Sequence, residues 1–186
     1  MNILALLFFA FWFFGPAGLA NVLAFASGKI RILRPLNYPV DFGLKLRGKR
    51  ILGSHKTIRG FVVGIVAAIM GVYLQVFLYT ILPWQQQLFP IDYTVVNPVL
   101  LGFLLGFGAL AGDSVKSFFK RQMGIQPGRS WFPYDQIDYI GGGIVLTWFY
   151  VPLAWYEYIL IFLVWFLIHP LATFIGFLFK VRHKPI

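Results

Sequence analysis

Long apolar runs, separated by charged or Pro- and Gly-containing connections, dominate the chain. A helix that crosses a bilayer needs about 20 mostly apolar residues. Five runs come near this length, at residues 2–26, 61–82, 98–112, 139–155 and 158–179. The pattern therefore predicts an all-α fold, as a polytopic membrane protein of about five transmembrane helices.

The composition agrees with a membrane protein. Of the 186 residues, 59% are hydrophobic and only 12% are charged, which is outside the usual range of soluble globular chains. The chain contains no cysteine, so a disulfide framework, a thiolate metal site and a cysteine nucleophile are all excluded. A chain of this length is expected to form one domain. We therefore expect a single integral-membrane domain over residues 1–186.

The basic residues lie in three regions that alternate with the apolar runs. Nine of the sixteen Lys and Arg residues fall in residues 27–59, four in residues 112–138 and three in the tail from Lys180. With five spans these regions share one side of the membrane, which the positive-inside rule places in the cytoplasm. The N-terminus is then outside and the C-terminus cytoplasmic, with cytoplasmic loops at about 27–59 and 112–138. This topology, in the plasma membrane, explains the net charge of +10 without a nucleic-acid partner.

The third apolar run is too short to cross the membrane on its own. Asn97 and Pro98 form a typical helix start. Residues 98–111 would rise only about 21 Å as a helix, less than the hydrocarbon core of about 30 Å. The helix is therefore expected to continue past Asp113. A charge at that depth is costly and marks a functional cavity by default.

Half of the six acidic residues lie close together in the sequence: Asp113, Asp135 and Asp138. A helix that continues through Asp113 presents four polar residues on the same face, namely Lys116, Ser117, Lys120 and Arg121. Gly124 and the pair Pro127-Gly128 favour a reversal of the chain. Asp135 and Asp138, which are three residues apart, then face the same way if helix resumes at Tyr134. The pattern predicts that the three carboxylates converge.

Two interpretations of this convergence compete. In one, the acids form an ion-pair network that seals the cytoplasmic end, pairing Asp113 with Lys116 or Lys120, and Asp135 and Asp138 with Arg121 or Arg129. In the other, the three aspartates bind one or two Mg²⁺ ions, because Mg²⁺ prefers oxygen ligands. Lys120 and Arg121 then bind phosphate oxygens. Buried ion pairs often fail to recover their desolvation cost, so the metal interpretation is favoured.

A second polar motif, GSHKTIRGFVVG at residues 53–64, directly precedes the second apolar run. Its Lys56, Thr57 and Arg59 supply hydrogen-bond donors at the membrane edge, suited to a nucleoside triphosphate or a lipid phosphate. His55 is interpreted as a surface residue. The glycines at 141–143 are expected to serve helix packing. Neither GxxxxGK[ST] nor GxGxxG is present, so no soluble-type nucleotide fingerprint is found.

The order of these motifs resembles one enzyme family. Lys56-Thr57-x-Arg59-Gly60 is followed by Gly112-Asp113-Ser114, Ser117-x-x-Lys120-Arg121, Pro127-Gly128 and Asp135-Gln136-x-Asp138. This combination, over about residues 53–143, resembles the CTP-dependent cytidylyltransferases that make CDP-activated lipids. The bacterial and eukaryotic members, the CDP-diacylglycerol synthases, usually carry DRxD at the last motif and an acidic residue near position 116. The Gln136 and Lys116 found here, in a much shorter chain, look like the archaeal branch, the CDP-archaeol synthases.

The resemblance implies Mg²⁺-dependent transfer of the CMP moiety of CTP to a membrane lipid phosphate, 2,3-bis-O-geranylgeranylglycerol 1-phosphate, giving a CDP-archaeol-type lipid and pyrophosphate. It implies that catalysis rests on Asp113, Lys120, Arg121, Asp135 and Asp138, with the metal held by the three aspartates. It implies CTP or headgroup contacts for Lys56, Thr57, Arg59, Ser114, Lys116, Ser117 and Gln136. CTP, the lipid phosphate and the bilayer are the expected partners, and a homodimer is left open.

Two other function classes remain open at the level of the sequence. A CTP-dependent polyprenol- or dolichol-type lipid kinase would share the membrane and the nucleotide, but it would transfer the γ-phosphoryl group to an alcohol and would need a general base. A non-enzymatic transporter or lipid-binding module could use the same charges as a relay or an anchor. No inverted repeat of the kind found in many transporters is evident.

Overall fold

The computed structural model of this chain describes residues 2–126 and 129–178. Within these ranges the elements are α1 (Ile3–Ala26), β1 (Lys45–Leu46), β2 (Lys49–Arg50), α2 (Ile58–Ile81), α3 (Pro83–Leu88), α4 (Pro98–Gln122), α5 (Tyr134–Trp148) and α6 (Trp155–Leu178). The pair Pro127-Gly128, which was expected to form part of the reversal, and the basic tail from Lys180 lie outside the described residues. The fold is mostly helical, as predicted.

Side-chain caps fix where three of the long helices begin. Asn2 accepts a hydrogen bond from the Leu4 amide at 3.1 Å at the start of α1. Thr57 caps α2 through the Gly60 amide at 3.2 Å. Asn97 accepts from the amides of Val99 and Leu100, each at 3.0 Å, so the predicted start of α4 is confirmed. These bonds satisfy amide groups that have no partner inside the helix.

Two of the predicted helix boundaries are corrected. α2 begins at Ile58 rather than at residue 61, because Thr57 caps it. α5 covers Tyr134–Trp148 rather than residues 139–155. Its early end fits Pro152, which disfavours helical geometry at the residue before it. The expected continuation of the third helix past Asp113 is confirmed, since α4 runs to Gln122.

Within residues 2–126 and 129–178, three helical segments are long and apolar enough to cross a membrane, namely Ile3–Lys29, Ile58–Ile81 and Pro98–Gln122. Trp155–Ile168 is a shorter apolar helix among the described residues. α5 has 15 residues. The count of five spans and the placement of the two termini therefore stay predictions.

The core lies around α1 and α4. α4 packs against α1, α2 and α5, and α1 also packs against α6. Fully buried side chains from several helices meet there, among them Phe13 and Phe14 of α1, Leu105 of α4, Ile140 of α5 and Ile161 of α6. Many large apolar side chains on the outside of the bundle are exposed, which suits a surface that faces lipid.

Glycines bring the backbones of α4 and α5 into direct contact. A Cβ on Gly142 would overlap the carbonyl oxygen of Gly108. A Cβ on Gly112 would likewise overlap the carbonyl oxygen of Asp138. The packing role expected for residues 141–143 is therefore confirmed for Gly142. A Cβ on Gly141 would have nothing within 4 Å, because this glycine faces open space.

The loop between α1 and α2 contains short regular elements. It contains the short 3-10 segments Ser27–Lys29 and Arg31–Leu36 and the antiparallel hairpin of β1 and β2. Arg47 and Gly48, which join the two strands, have φ values of 52° and 78°. Positive φ at both central residues is the geometry that two-residue hairpin turns favour. The all-α prediction is corrected by this small hairpin.

Candidate active site

The three aspartates of the central motif converge, with a lysine ammonium group between them. Lys116 Nζ lies 3.1 Å from Asp113 Oδ1 and 2.9 Å from Asp135 Oδ1. It also lies 2.5 Å from Asp138 Oδ2. Lys116 and Asp113 are one turn apart on α4, whereas the other two aspartates come from the start of α5. The continuation of α4 and the reversal after it are what bring these groups together.

Two further lysines complete the network. Lys56, from the loop before α2, forms an ion pair with Asp113 Oδ2. Lys120 Nζ lies 3.1 Å from Asp135 Oδ1 and donates to the carbonyl oxygen of Arg129 at 2.6 Å. We call these six residues the Asp–Lys cluster: Asp113, Asp135, Asp138, Lys56, Lys116 and Lys120. Ion pairs therefore do form here, and the Asp113–Lys116 pair is one that was expected, whereas Lys56 was not. Among the described residues, Asp135 and Asp138 pair with lysines rather than with Arg121 or Arg129 as expected.

The first turns of α5 position two of the aspartates. Asp135 Oδ2 accepts a hydrogen bond from the Trp131 amide at 2.5 Å, and Asp138 Oδ1 accepts one from the Tyr139 amide at 2.6 Å. Negative charge is favourable near a helix N-terminus. Because Gly112 packs against the backbone of Asp138, the carboxylate at 138 is held close to the one at 113.

A buried aspartate holds the loop that carries Lys56. Asp41 is only 5% exposed and accepts hydrogen bonds from the amides of Gly43, Leu52 and Gly53 at 3.0, 3.0 and 3.1 Å. Arg50 pairs with it at 2.8 Å. The loop is fixed at two more points, where the Val40 amide donates to Lys56 O at 2.8 Å and Lys49 Nζ donates to Gln122 O at 2.6 Å. The chain from Asp41 to Lys56 is thereby anchored to the end of α4.

We expect the stability contributed by Asp41 to depend on pH in the acid range only. Burial by itself would raise its pKa, but hydrogen bonds from the Leu52 and Gly43 amides, from Arg50 and from the Gly53 amide outweigh burial and lower the pKa from 3.8 to about 2. The charged carboxylate therefore stabilises the fold fully above pH 3.8, and this contribution is lost as the pH falls through about 2. The gain is on the order of 1–2 kcal/mol.

Comparing the wild type with Asp41→Asn by thermal unfolding in detergent checks this expectation. The asparagine variant should be less stable by a constant amount from neutral pH to about pH 5, and the difference should narrow below pH 4. Equal stability at neutral pH, or a difference that stays unchanged in strong acid, would contradict the assigned role.

The other predicted site residues are placed as follows. The Ser114 hydroxyl donates to Leu110 O at 2.7 Å, and the Ser117 hydroxyl donates to Asp113 O at 2.9 Å, so both serve their own helix. Thr57 caps α2. Arg59 and Gln136 are buried, and Arg59 Nε and Gln136 Oε1 lack a hydrogen-bond partner among the described residues. Only Ser117 of these five lines the polar pocket described next.

Two small polar cavities adjoin the cluster on one side. The first, of about 160 Å³, is lined by Lys56, Asp113, Lys116, Ser117, Lys120 and Arg121, together with residues 52–55. The second, of about 150 Å³, lies between α1, α2 and α4 and shares His55, Lys56 and Asp113 with the first. We call the first one the polar pocket. Its lining contains four cationic side chains, so it suits an anionic group.

An apolar groove adjoins the cluster on the other side. It has a volume of about 780 Å³ and runs between α4 and α5, with Gly108, Gly112, Gly141 and Gly142 at its floor. Its walls are mainly apolar and include exposed side chains on the outer surface of the bundle, among them Val115, Phe119, Met123 and Val145. Lys116 and Asp138 are the charged residues that line it. We call it the apolar groove. Lys116 lines both the polar pocket and this groove.

The cluster fits a hard cation by ligand type but not in its present arrangement. Carboxylate oxygens are the ligands that Mg²⁺ prefers. Within residues 2–126 and 129–178, no group of three or more His, Cys, Asp or Glu residues is arranged to hold a metal ion. Asp138 Oδ2 is buried and, although Lys116 Nζ is near, makes no hydrogen bond among those residues. This oxygen has capacity for a cation, provided that Lys116 moves aside.

Asp41 was not among the predicted site residues, and Lys116 was predicted only as a contact of CTP or of the lipid headgroup. The signal for Asp41 was its position as the single acid in a loop with nine basic residues. Lys116 was recognised as a helix neighbour of Asp113, but its contact with all three aspartates depends on the packing of α5 against α4. That contact is set by tertiary structure.

Comparisons with known proteins agree over nearly the whole chain. A family model described as CarS-like CDP-archaeol synthase matches residues 3–185. A CDP-archaeol synthase of Methanopyrus kandleri is 37% identical over 180 residues, which are 94% of this chain and 90% of that protein. A CDP-archaeol synthase of Methanocaldococcus jannaschii is 30% identical over 183 residues, which are 95% of this chain and 96% of that protein.

A solved structure has a similar fold. It is described as an intramembrane enzyme for archaeal membrane lipids biosynthesis, and it matches with a TM-score of 0.65 and 25% identity over 88% of this chain and 91% of that one. Together with the candidate spans, this likeness indicates a multi-pass membrane protein. With a family model that covers residues 3–185 and relatives that align over almost their full length, the chain belongs to the CarS-like CDP-archaeol synthase family.

Proposed function

We propose that this protein transfers the CMP moiety of CTP to a membrane lipid phosphate, giving a CDP-archaeol-type lipid and pyrophosphate. Relatives that align over most of the chain are CDP-archaeol synthases. The substrate that their name suggests is an ether lipid phosphate such as 2,3-bis-O-geranylgeranylglycerol 1-phosphate.

The position of the Asp–Lys cluster carries this proposal. It lies between a polar pocket with four cationic side chains and an apolar groove of about 780 Å³. A reaction between CTP and a lipid phosphate needs such a junction, because one substrate is a soluble polyanion and the other keeps its hydrocarbon chains in the bilayer. Lys116 and the adjacent carboxylates are the groups that both substrates can reach.

The chemistry that this junction would support needs no dedicated general base. A lipid phosphate is already ionised at neutral pH, so its oxygen can attack the α-phosphorus of CTP directly. A bond forms from that oxygen to the α-phosphorus as the bond to the bridging oxygen of the pyrophosphate breaks, and the pyrophosphate leaves with the electron pair. Positioning and charge stabilisation supply most of the catalysis in such phosphoryl-type transfers.

The cationic residues of the polar pocket would bind the triphosphate. Lys120 and Arg121 project from the last turns of α4, and Lys56 is presented by the loop that Asp41 anchors. Their positive charges would stabilise the charge that develops on the leaving pyrophosphate. The pocket of about 160 Å³ is small for a whole nucleotide, so we assign it to the phosphates rather than to the cytosine ring.

Asp113, Asp135 and Asp138 would hold Mg²⁺. When bound, Mg²⁺ would neutralise phosphate charge at the junction. The carboxylates would hold the ion beside the polar pocket, which Asp113 and Arg121 both line. The requirement for a divalent ion is part of the proposal and is open to test by chelation and by adding Mg²⁺ back.

The apolar groove would take the lipid. Its opening along the outer surface of α4 and α5 would let a phosphate headgroup reach Lys116 while the chains stay among lipid tails. Trp131 and Tyr134, whose rings are tilted by 32° with their centroids 4.3 Å apart, both line the groove. Aromatic side chains of this kind favour the boundary between headgroups and hydrocarbon.

The topology belongs to the same proposal. We place residues 1–186 in one integral-membrane domain with five spans, the N-terminus outside, the C-terminus in the cytoplasm, and the Asp–Lys cluster on the cytoplasmic face of the plasma membrane. The one-sided distribution of the basic residues supports this orientation. A cytoplasmic site would have direct access to CTP.

Incubating the detergent-solubilised protein with labelled CTP and 2,3-bis-O-geranylgeranylglycerol 1-phosphate tests the reaction. We expect a labelled lipid from CTP labelled at the α-phosphate and none from CTP labelled at the γ-phosphate. The opposite pattern would indicate a CTP-dependent lipid kinase. No labelled lipid from either form, with a protein that is folded and supplied with Mg²⁺, would contradict both enzymatic assignments.

A further inference from the structure

Every carboxylate of the Asp–Lys cluster already contacts an ammonium group. Lys116 Nζ is within 3.1 Å of an oxygen from each of the three aspartates. Lys56 forms an ion pair with the second oxygen of Asp113, and Lys120 Nζ lies 3.1 and 3.3 Å from the two oxygens of Asp135. The ligands that a metal ion needs are therefore in contact with the protein's own cations.

The charges of the cluster balance without a metal. Its three carboxylates face three ammonium groups, and Arg121 adds a further positive charge to the lining of the polar pocket. A divalent cation that enters this arrangement alone would be repelled by Lys116. It would also compete with Lys116 for space, because metal–oxygen distances of about 2.0–2.1 Å require contact with the same oxygens. Bare metal is therefore disfavoured both by charge and by geometry.

A triphosphate changes this balance. It brings negative charge into the polar pocket, which Lys56, Lys116 and Lys120 all line. A lysine ammonium is a point charge on a flexible stem, so it can turn from a carboxylate to a phosphate oxygen without movement of the helix. When the lysines turn to the phosphates, the carboxylates lose their partners and can bind a cation. Nucleotide binding thus creates the metal site.

We propose that the Asp–Lys cluster binds a divalent cation only together with a nucleoside triphosphate, because Lys116 occupies the cation position until phosphate oxygens draw it away. Lys116 is then the residue that makes metal binding conditional on nucleotide. By reciprocity, the cation must raise the affinity for the nucleotide by the same factor. The inference rests on the proposed function only in that the polar pocket accepts a triphosphate.

Binding of Mn²⁺ to the full chain in detergent, followed by the electron paramagnetic resonance signal of the ion, tests the proposal without turnover. No lipid substrate is added, and CTP with Mn²⁺ but no protein gives the baseline. We expect the wild type to bind Mn²⁺ at least about 10-fold more tightly with CTP than without it, within the usual range of coupling between sites. Mn²⁺ binding that is the same without nucleotide as with CTP, with ATP and with inorganic triphosphate would overturn the proposal.

Lys116→Met removes the ammonium group and keeps a stem of similar length. This variant should bind Mn²⁺ without nucleotide, with an affinity at least about 10-fold above that of the wild type. Adding Asp138→Asn to it should remove the gain, which locates the ion at the cluster. Lys45→Met, at an exposed position in the hairpin, is the matched control and should behave as the wild type does. A Lys116→Met protein that is folded but gains no binding would overturn the proposal, and if it does not fold, the wild-type comparison decides alone.

The same measurements separate this inference from the proposed function. Coupled binding of Mn²⁺ with inorganic triphosphate or ATP, but not with CTP, would support the inference and contradict CTP as the substrate. Transfer of the α-phosphate label to lipid by a protein that binds Mn²⁺ equally well without nucleotide would leave the function intact and overturn the inference.

Discussion

Replacement of Asp113, Asp135 or Asp138 by asparagine is expected to reduce cytidylyl transfer on the order of 100-fold or more while the protein remains folded. Asparagine has nearly the same shape as aspartate but lacks the charge, so it would weaken both the ion pairs of the cluster and the proposed metal site. Loss of one preorganised electrostatic contact in an active site costs about 100- to 1,000-fold in rate. The rate of labelled lipid formation from CTP labelled at the α-phosphate measures the effect.

Asp92→Asn is the matched control for these variants. Asp92 precedes α4, and the first residue of that helix, Pro98, lies about 22 Å along it from Asp113. The Asp92 carboxylate accepts hydrogen bonds from Thr94 at 2.8 and 2.7 Å. The same chemical change there should leave the rate close to that of the wild type. Elution as a single peak from a sizing column and an unchanged melting transition show that each variant is folded. Near-normal rates in all three cluster variants would refute the assignment of these carboxylates.

Gly142→Ala is expected to separate α4 from α5 and to inactivate the protein. The added Cβ would overlap the carbonyl oxygen of Gly108, and backbone atoms cannot turn away as a side chain can. Extra volume in a packed interior costs about 1–3 kcal/mol. Any outward shift of α5 also moves Asp138 away from Asp113. Since a displacement of about 1 Å can cost on the order of 100-fold in rate, we expect a loss of that size.

Two alanine variants at open positions make this test specific. Gly141→Ala, at the adjacent residue of the same helix, adds a methyl group with nothing within 4 Å, so its melting temperature should equal or exceed that of the wild type. Gly15→Ala in α1 has the same open surroundings and lies away from the site, and it should retain activity. If Gly142→Ala is as stable and as active as Gly15→Ala, the close contact of α4 and α5 does not hold the site together.

Several features of the site follow from local sequence rules. The rise of a helix from Pro98 predicted that α4 passes Asp113, and α4 does extend to Gln122. Gly124, which has a φ of 77°, follows the end of α4 at the position where the sequence indicated a reversal of the chain. These predictions succeeded because helix length, caps and glycine geometry depend on residues close in sequence.

Other features could not be read in this way. Asp41 and Arg50 lie in a basic loop to which the sequence assigned no internal contacts, yet they form an ion pair whose aspartate is buried. The resemblance implied CTP or headgroup contacts for Ser114 and Ser117, and only the structure shows that their hydroxyls donate to carbonyl oxygens one turn earlier. Whether a polar side chain bonds to its own helix or to a ligand depends on its surroundings, which the sequence does not state.

The sequence by itself determined the helical class, the continuation of α4 past Asp113 and the grouping of the basic residues into three regions. These properties depend on hydrophobic pattern and on residue type, and both are present in the order of the residues. Only the tertiary structure decided which groups touch. The contact of Gly112 with the backbone of Asp138 brings α5 against α4, and this contact is what puts Lys116 among three carboxylates and between the polar pocket and the apolar groove. Contacts of this kind join residues far apart in the chain, so they arise only when the helices pack.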